Sequence, residues 1–171
     1  MSLVLLLGGA RAGKSAAAQR LAGDWDGPVT FIATAEALDE EMAARIVRHR
    51  RERPTGWTTV EEPLALRDAV TAVDPGSAAI VDCLTLWVSN TLDCDEDAVL
   101  AEAAATAELA ASHPAPVIVV SNEVGLGIVP ANPDARRYRD RLGAVNRLFA
   151  ERAETAALVV AGRLLRLEET V

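Results

Sequence analysis

Leu3-Val4-Leu5-Leu6-Leu7-Gly8-Gly9-Ala10-Arg11-Ala12-Gly13-Lys14-Ser15 is the stretch that decides how this chain folds. A short apolar run leads directly into Gly-x-x-x-x-Gly-Lys-Ser, the spacing of a phosphate-binding loop between a strand and a helix. In that arrangement free backbone N–H groups and the positive end of the helix meet an anion. Lys14 is the only lysine of the chain, and the remaining basic residues are arginines. A compact ammonium fits a phosphate nest as a point charge, where a forked, planar guanidinium is too wide.

Outward from the loop, further apolar runs alternate with helical patterns. Val29 to Ala33, Ala78 to Val81 (ending at Asp82), Val117 to Ser121 and Ala157 to Ala161 join Leu3 to Leu7 as strands. Continuous rather than alternating runs suit strands covered on both faces of a parallel sheet. Trp57 to Glu61 reads as a shorter edge strand, and Leu164 to Leu167 follows Gly162 closely enough to return antiparallel. One helix is expected from Lys14 to about Ala22, a second from about Asp39 to Arg53, and an alanine-rich third over roughly Glu96 to Ser112. The last long helix opens with Asn132 as cap and Pro133 at its first position. Its expected buried stripe is Ala135, Tyr138, Leu142, Val145 and Phe149, with Arg136, Arg137, Arg139 and Arg147 off that stripe. Strand and helix in alternation predict a three-layer α/β fold of the P-loop NTPase, RecA-like kind, with a mostly parallel central sheet. No repeat or linker interrupts it, so residues 1–171 are expected to form a single nucleotide-binding catalytic domain.

Composition narrows the function. The net charge of −8 argues against nucleic acid or an anionic membrane surface as partner. With 4% aromatic residues, stacking platforms for bases are scarce. The apolar run at the start is too short to span a membrane, and a cytoplasmic enzyme is expected. Cys83 and Cys94 have neither disulfide-framework nor metal-site spacing.

A phosphate loop calls for a metal. The Ser15 hydroxyl is one candidate ligand for Mg²⁺, and an acid at the end of a neighbouring buried strand is the other; Asp82 occupies that place. Asp82 could instead cap a following helix. Arg45, Arg48, His49, Arg50, Arg51 and Arg53 crowd the second helix, with Arg45, His49 and Arg53 four residues apart on one face. Arginines so placed can neutralise a triphosphate, and the free ring nitrogen of a neutral histidine can attack phosphorus. The same pattern also describes a solvated basic face with an incidental histidine.

Several further strings carry a resemblance across nearly the whole chain. They are Phe31-Ile32-Ala33-Thr34-Ala35, then Asp39 to Ile46 with His49, Arg53, Trp57 and Glu61. The longest is Ser121-Asn122-Glu123-Val124-Gly125-Leu126-Gly127-Ile128-Val129-Pro130, followed by Arg137, Arg139-Asp140, Gly143 and Asn146. Together they resemble the bifunctional adenosylcobinamide kinase / adenosylcobinamide-phosphate guanylyltransferase family of cobalamin biosynthesis. The resemblance implies two reactions. ATP or GTP phosphorylates the aminopropanol hydroxyl of adenosylcobinamide. GTP then gives GMP to that phosphate through a guanylylated histidine, yielding adenosyl-GDP-cobinamide and pyrophosphate.

Carried over, the histidine is His49, with Lys14 as the other catalytic residue. Implied nucleotide contacts are Gly8, Gly9, Ala10, Arg11, Ala12, Gly13, Lys14 and Ser15, then Ala33, Thr34, Ala35, Arg50, Arg51, Glu52, Arg53, Glu61 and Asp82. The resemblance also implies a homo-oligomer, a trimer. Ala12 stands where the family usually has serine, and Asp82 where some relatives have glutamate. Glu123 is an acidic candidate in the glycine-flanked loop, either as a base or as a brace for that loop. A P-loop small-molecule kinase without the guanylyl step, and a binding module that only senses nucleotide, are the other readings.

Overall fold

Leu3 to Gly8 form β1, and every residue of it is buried. Such a strand needs a neighbour on each edge and a layer on each face, and it has all four. In the computed structural model, which describes residues 3–37 and 39–168, β1 lies between β5 (Val117–Val120) and β6 (Thr155–Val160), both parallel to it. The seven-stranded sheet is completed by β2 (Val29–Ala33), β3 (Thr58–Glu61), β4 (Ala78–Asp82) and β7 (Arg163–Leu167), in the order β3-β2-β4-β5-β1-β6-β7. Only β7 runs antiparallel, pairing Leu165 with Leu158 and Arg163 with Val160. The edge strands fall where the sequence predicts them, at Thr58–Glu61 and Arg163–Leu167.

The two faces are covered unequally. On one lies α1 (Lys14–Gly23), whose Ala17, Ala18 and Ala22 sit against Val4, Leu6, Phe31 and Ile80. Small side chains let this helix approach the strands closely. The other face carries the larger core, with Leu5, Ile32, Val81 and Val119 beneath Trp87, Leu142, Val145 and Phe149. These come from α4 (Leu84–Asn90) and α6 (Pro133–Ala150), joined there by α3 (Leu66–Thr71) and α5 (Glu96–Ser112). Burying each such large side chain contributes about 1.5–3 kcal/mol.

Asn132 caps α6 as expected, its Oδ1 accepting from Asp134 N at 2.7 Å, and Leu142, Val145 and Phe149 are fully buried. Ala135 and Tyr138 are only half-buried, because the first turns of α6 project beyond the core. The buried arginine of this helix is Arg141. It lies across the C-terminal end of α4 and donates to the carbonyls of Thr91 (2.9 Å), Leu92 (3.2 Å) and Cys94 (3.4 Å).

The second helix, α2 (Glu40–Arg51), differs from the rest in burying no residue. Asp39 accepts from Met42 N at 2.7 Å at its start, while basic residues crowd its last turn, an order that opposes the helix dipole favourably. It stops two residues before the expected Arg53, leaving that arginine free to turn back over β2. No helix among the described residues is long and apolar enough to cross a membrane.

Candidate active site

The C-terminal ends of β1, β2 and β4 converge on a cavity of about 550 Å³ whose floor is the loop between β1 and α1. The loop's shape depends on two glycines. Gly8 has φ 150°, and a Cβ there would collide with the carbonyl of Val159 on β6. Gly13 has φ 102°, with room for a Cβ only at 3.3 Å from the Cα of Gly162. Behind it the β6–β7 turn is tied on, Gly162 N donating to Ala12 O at 2.8 Å.

Lys14 opens α1 and is buried. Its Nζ donates to the carbonyls of Gly9 (2.7 Å) and Gly8 (3.0 Å), so the ammonium lies across its own loop. Burial lowers its pKa, Cys83 and Asp82 oppose that shift, and Arg45 adds to it. Ser15 follows, with its hydroxyl near enough to the Asp82 carboxylate to favour the charged form. Burial raises the Asp82 pKa, whereas the Ser15 hydroxyl and the charges of His49, Arg53 and Lys14 pull it back. Asp82 does not cap a helix: α4 begins two residues later, with Cys83 in the cap position.

Asp82 and Ser15 both offer hard oxygen donors, side by side, beneath a cluster of cations. That donor set fits Mg²⁺, which takes oxygen ligands and keeps several waters. No group of three or more His, Cys, Asp or Glu side chains that could hold a metal ion occurs among the described residues.

The far wall of the cavity is α2, which contributes Arg45, Arg48 and His49. Arg53 also faces it. Its guanidinium lies 3.8 Å above the centroid of the Phe31 ring, and Nη1 donates to Thr59 Oγ1 at 3.2 Å. Burial lowers the Arg53 pKa, and Arg50 adds to that, while Asp82 and Glu61 oppose it. Glu61 lines the cavity and is ion-paired with Arg50. Both partners are half-exposed, so this pair adds at most about 1 kcal/mol.

Thus Ala10 to Ser15, Ala33, Ala35, His49, Arg53, Glu61 and Asp82 meet around one space. Arg50, Arg51 and Glu52 do not line it; the Glu52 N–H closes the end of α2 on Arg48 O. The Thr34 side chain lies beneath the cavity, fully buried. Glu123 folds onto its own loop, its carboxylate accepting from Gly125 N, which is the bracing arrangement.

Two cavity-lining residues, Cys83 and Thr85, were not read from the sequence as part of the site. Cys83 lines the wall, and burial together with the Asp82 charge pushes its thiol from 9.0 up to about 11. Thr85 accepts from Asn122 N at 2.8 Å through Oγ1, and Asn146 Nδ2 donates to Asn122 O at 3.0 Å. For Thr85 the available signal was a single polar residue in the otherwise apolar run Leu84-Thr85-Leu86-Trp87-Val88.

A parallel sheet with a phosphate loop after its central strand, and an acid at the end of the strand once removed, defines a P-loop nucleotide-binding protein of the RecA-like class. The flagellar accessory protein FlaH of Methanocaldococcus jannaschii shares this fold, with a TM-score of 0.53 at 15% identity over 95% of this chain and 74% of its own. So does the RadB recombinase, at 0.54 and 15% over 92% and 73%.

The chain belongs to the cobinamide kinase / cobinamide phosphate guanyltransferase family, whose model matches residues 4–167. It is 47% identical over 160 residues to the bifunctional adenosylcobalamin biosynthesis protein CobP of Pseudomonas aeruginosa, covering 92% of each chain. To CobU of Escherichia coli, of the same description, it is 43% identical over 175 residues, covering 94% of this chain and 96% of that one.

Proposed function

We propose that this protein is a bifunctional transferase of adenosylcobalamin biosynthesis, with residues 1–171 forming one catalytic domain. In the first reaction a nucleoside triphosphate, ATP or GTP, phosphorylates the aminopropanol hydroxyl of adenosylcobinamide. In the second, GTP transfers GMP to the resulting phosphate. The observation that carries this reading is the shared cavity: in a chain of this family, His49 faces the same space as Lys14, Ser15 and Asp82.

The loop N–H groups and the end of α1 hold the β- and γ-phosphates, with Lys14 moving from its own carbonyls onto them. Ser15 and Asp82 hold Mg²⁺, which when bound neutralises charge on those phosphates. Arg53, fixed over Phe31, supplies a second positive group beside the phosphate chain. Ala33, Ala35, Glu61 and the Arg50–Glu52 turn complete the nucleotide environment by resemblance, with the Thr34 side chain buried behind them.

For guanylyl transfer a His49 ring nitrogen attacks the α-phosphorus. The bond to the bridging oxygen breaks, and its electron pair leaves with pyrophosphate. An oxygen of adenosylcobinamide phosphate then attacks the same phosphorus and releases His49. A homo-oligomer is the favoured assembly, a trimer by family resemblance. The open apolar side chains of Leu126 and Ile128, 86% and 98% exposed, support contact between copies. The cytoplasm, where nucleoside triphosphates are held, is the expected compartment.

The test is intact-protein mass spectrometry after incubation with GTP and Mg²⁺, followed by peptide mapping. A GMP increment on the His49 peptide, absent from folded His49→Asn, is the expected result. A folded, GTP-bound protein without the increment would leave a P-loop kinase instead.

A further inference from the structure

Thr34 is the residue after β2, and nothing of its side chain reaches solvent. A buried hydroxyl needs partners, and this one has two from a single residue on the neighbouring strand end. Oγ1 donates to Cys83 O at 2.7 Å and accepts from Cys83 N at 2.8 Å. The main chain of Thr34 is engaged as well. Its N–H donates to Asp82 O at 3.2 Å, and its carbonyl accepts from Asn90 Nδ2 at 2.8 Å. Asn90 also reaches Pro63 O at 3.1 Å, so α4 ties the ends of β2 and β3 together.

All the bonds between Thr34 and β4 fall on the peptide groups on the C-terminal side of Asp82, where that residue leaves the sheet and its carboxylate meets Ser15. Sheet pairing holds Asp82 against Val120 and Ala33 up to that point and then ends. Beyond it, the Thr34 hydroxyl bonds both main-chain groups of Cys83, whose carbonyl also accepts from Trp87 N at 3.2 Å as α4 begins.

We propose that Thr34 is a positioning residue that aims the Asp82 carboxylate at the metal-binding position beside Ser15, rather than a side chain that touches nucleotide. This rests on the assignment of Ser15 and Asp82 to Mg²⁺ made above. A carboxylate that is free to swing loses metal affinity even when it remains present, and partners standing behind metal ligands matter by about 10–100-fold.

The test measures GTP affinity by calorimetry in EDTA and in Mg²⁺ for wild type, Thr34→Val, Thr34→Ser and Asp82→Asn. Thr34→Val keeps the volume and removes both hydroxyl bonds. Should it fail to fold, Thr34→Ala admits a water to Cys83 N–H and replaces it. The expected result is metal-free affinity as in wild type, the Mg²⁺-dependent gain reduced about tenfold or more, and the gain recovered in Thr34→Ser.

Loss of metal-free affinity in Thr34→Val to the same degree would make Thr34 a nucleotide contact and overturn the inference. A full Mg²⁺ gain in Thr34→Val, with that gain lost in Asp82→Asn, would overturn the positioning role while leaving the metal assignment intact. A full gain in Asp82→Asn would overturn the metal assignment and the positioning role together.

Discussion

The two walls of the cavity are built in opposite ways. On one side the phosphate loop is locked from behind. Gly8 is pressed against Val159, Gly13 faces Gly162, Glu123 N donates to Gly8 O at 3.2 Å, and Lys14 is buried. On the other side α2 carries His49 and four arginines with no buried residue at all. Its order comes from the Asp39 cap, its charge sequence and the Arg50–Glu61 pair. Phosphate binding needs one fixed geometry for both reactions, and the sheet supplies it. The nucleophile proposed at His49 has to meet first one phosphorus and then a second substrate, and a helix outside the core leaves room for that. Segments with few buried contacts are also those that open at low free-energy cost.

If the walls divide labour in this way, variants on them must separate. Lys14→Ala should reduce both reactions by about 10²–10³-fold, the scale for removing a preorganised charge partner. His49→Asn should stop only guanylyl transfer. Separate assays of phosphate transfer from nucleoside triphosphate and of pyrophosphate release check this, and retained guanylyl transfer in Lys14→Ala would break the comparison.

The locked wall should also be chemically quiet. A thiol raised from 9.0 to about 11 carries about a hundredfold less thiolate at neutral pH, and only the thiolate attacks an alkylating reagent. Iodoacetamide at neutral pH should therefore label exposed Cys94 and leave Cys83 largely unmodified, with Cys83 labelling rising as pH approaches 11. Peptide mapping over a pH series reads the two sites directly.

Smaller effects concern stability. Gly13→Ala forces a side chain into the left-handed region, against Gly162, and should cost about 1–3 kcal/mol. At about 2–4 °C per kcal/mol for a chain of this size, the loss is visible as a lower Tm. The smallest changes should be the most telling. Asn132→Ala and Asp39→Ala each remove one N-cap, worth about 1 kcal/mol. The first should lower Tm, since α6 is part of the core. The second should leave Tm nearly unchanged and slow guanylyl transfer. Equal shifts in Tm would show that α2 is as integral to the fold as α6.

Much of this was legible in the sequence because it was periodic or had fixed spacing. The apolar runs Leu3–Leu7, Val29–Ala33 and Val117–Val120 announce buried parallel strands, and Gly8 to Ser15 announces the floor of the site. Asn132-Pro133 marks the start of α6 to the residue. The short helix α3 was not resolved as an element, and α4 only as a helix without bounds after Asp82, because six or seven residues hold too little period to read. Arg141 was indistinguishable from its neighbours Arg137 and Arg139. Its burial depends on the carbonyls of Thr91, Leu92 and Cys94, which only tertiary structure brings to it. The same holds for Thr34, whose partner Cys83 lies far along the chain. Side-chain bonds to distant main chain leave no trace in spacing.

The sheet order has a consequence for how the protein comes into being. β1 is made before the other strands of this sheet, yet Leu3 pairs with Val117 and Gly8 with Val159. Non-local parallel pairing of this kind is slow, because a long loop must close before any contact rewards it. The phosphate loop thus waits, as an exposed glycine-rich segment beside an apolar strand, until β5 and then the β6–β7 hairpin arrive to seal it. The segment with the phosphate loop therefore leaves the ribosome well before the strands that complete its surroundings.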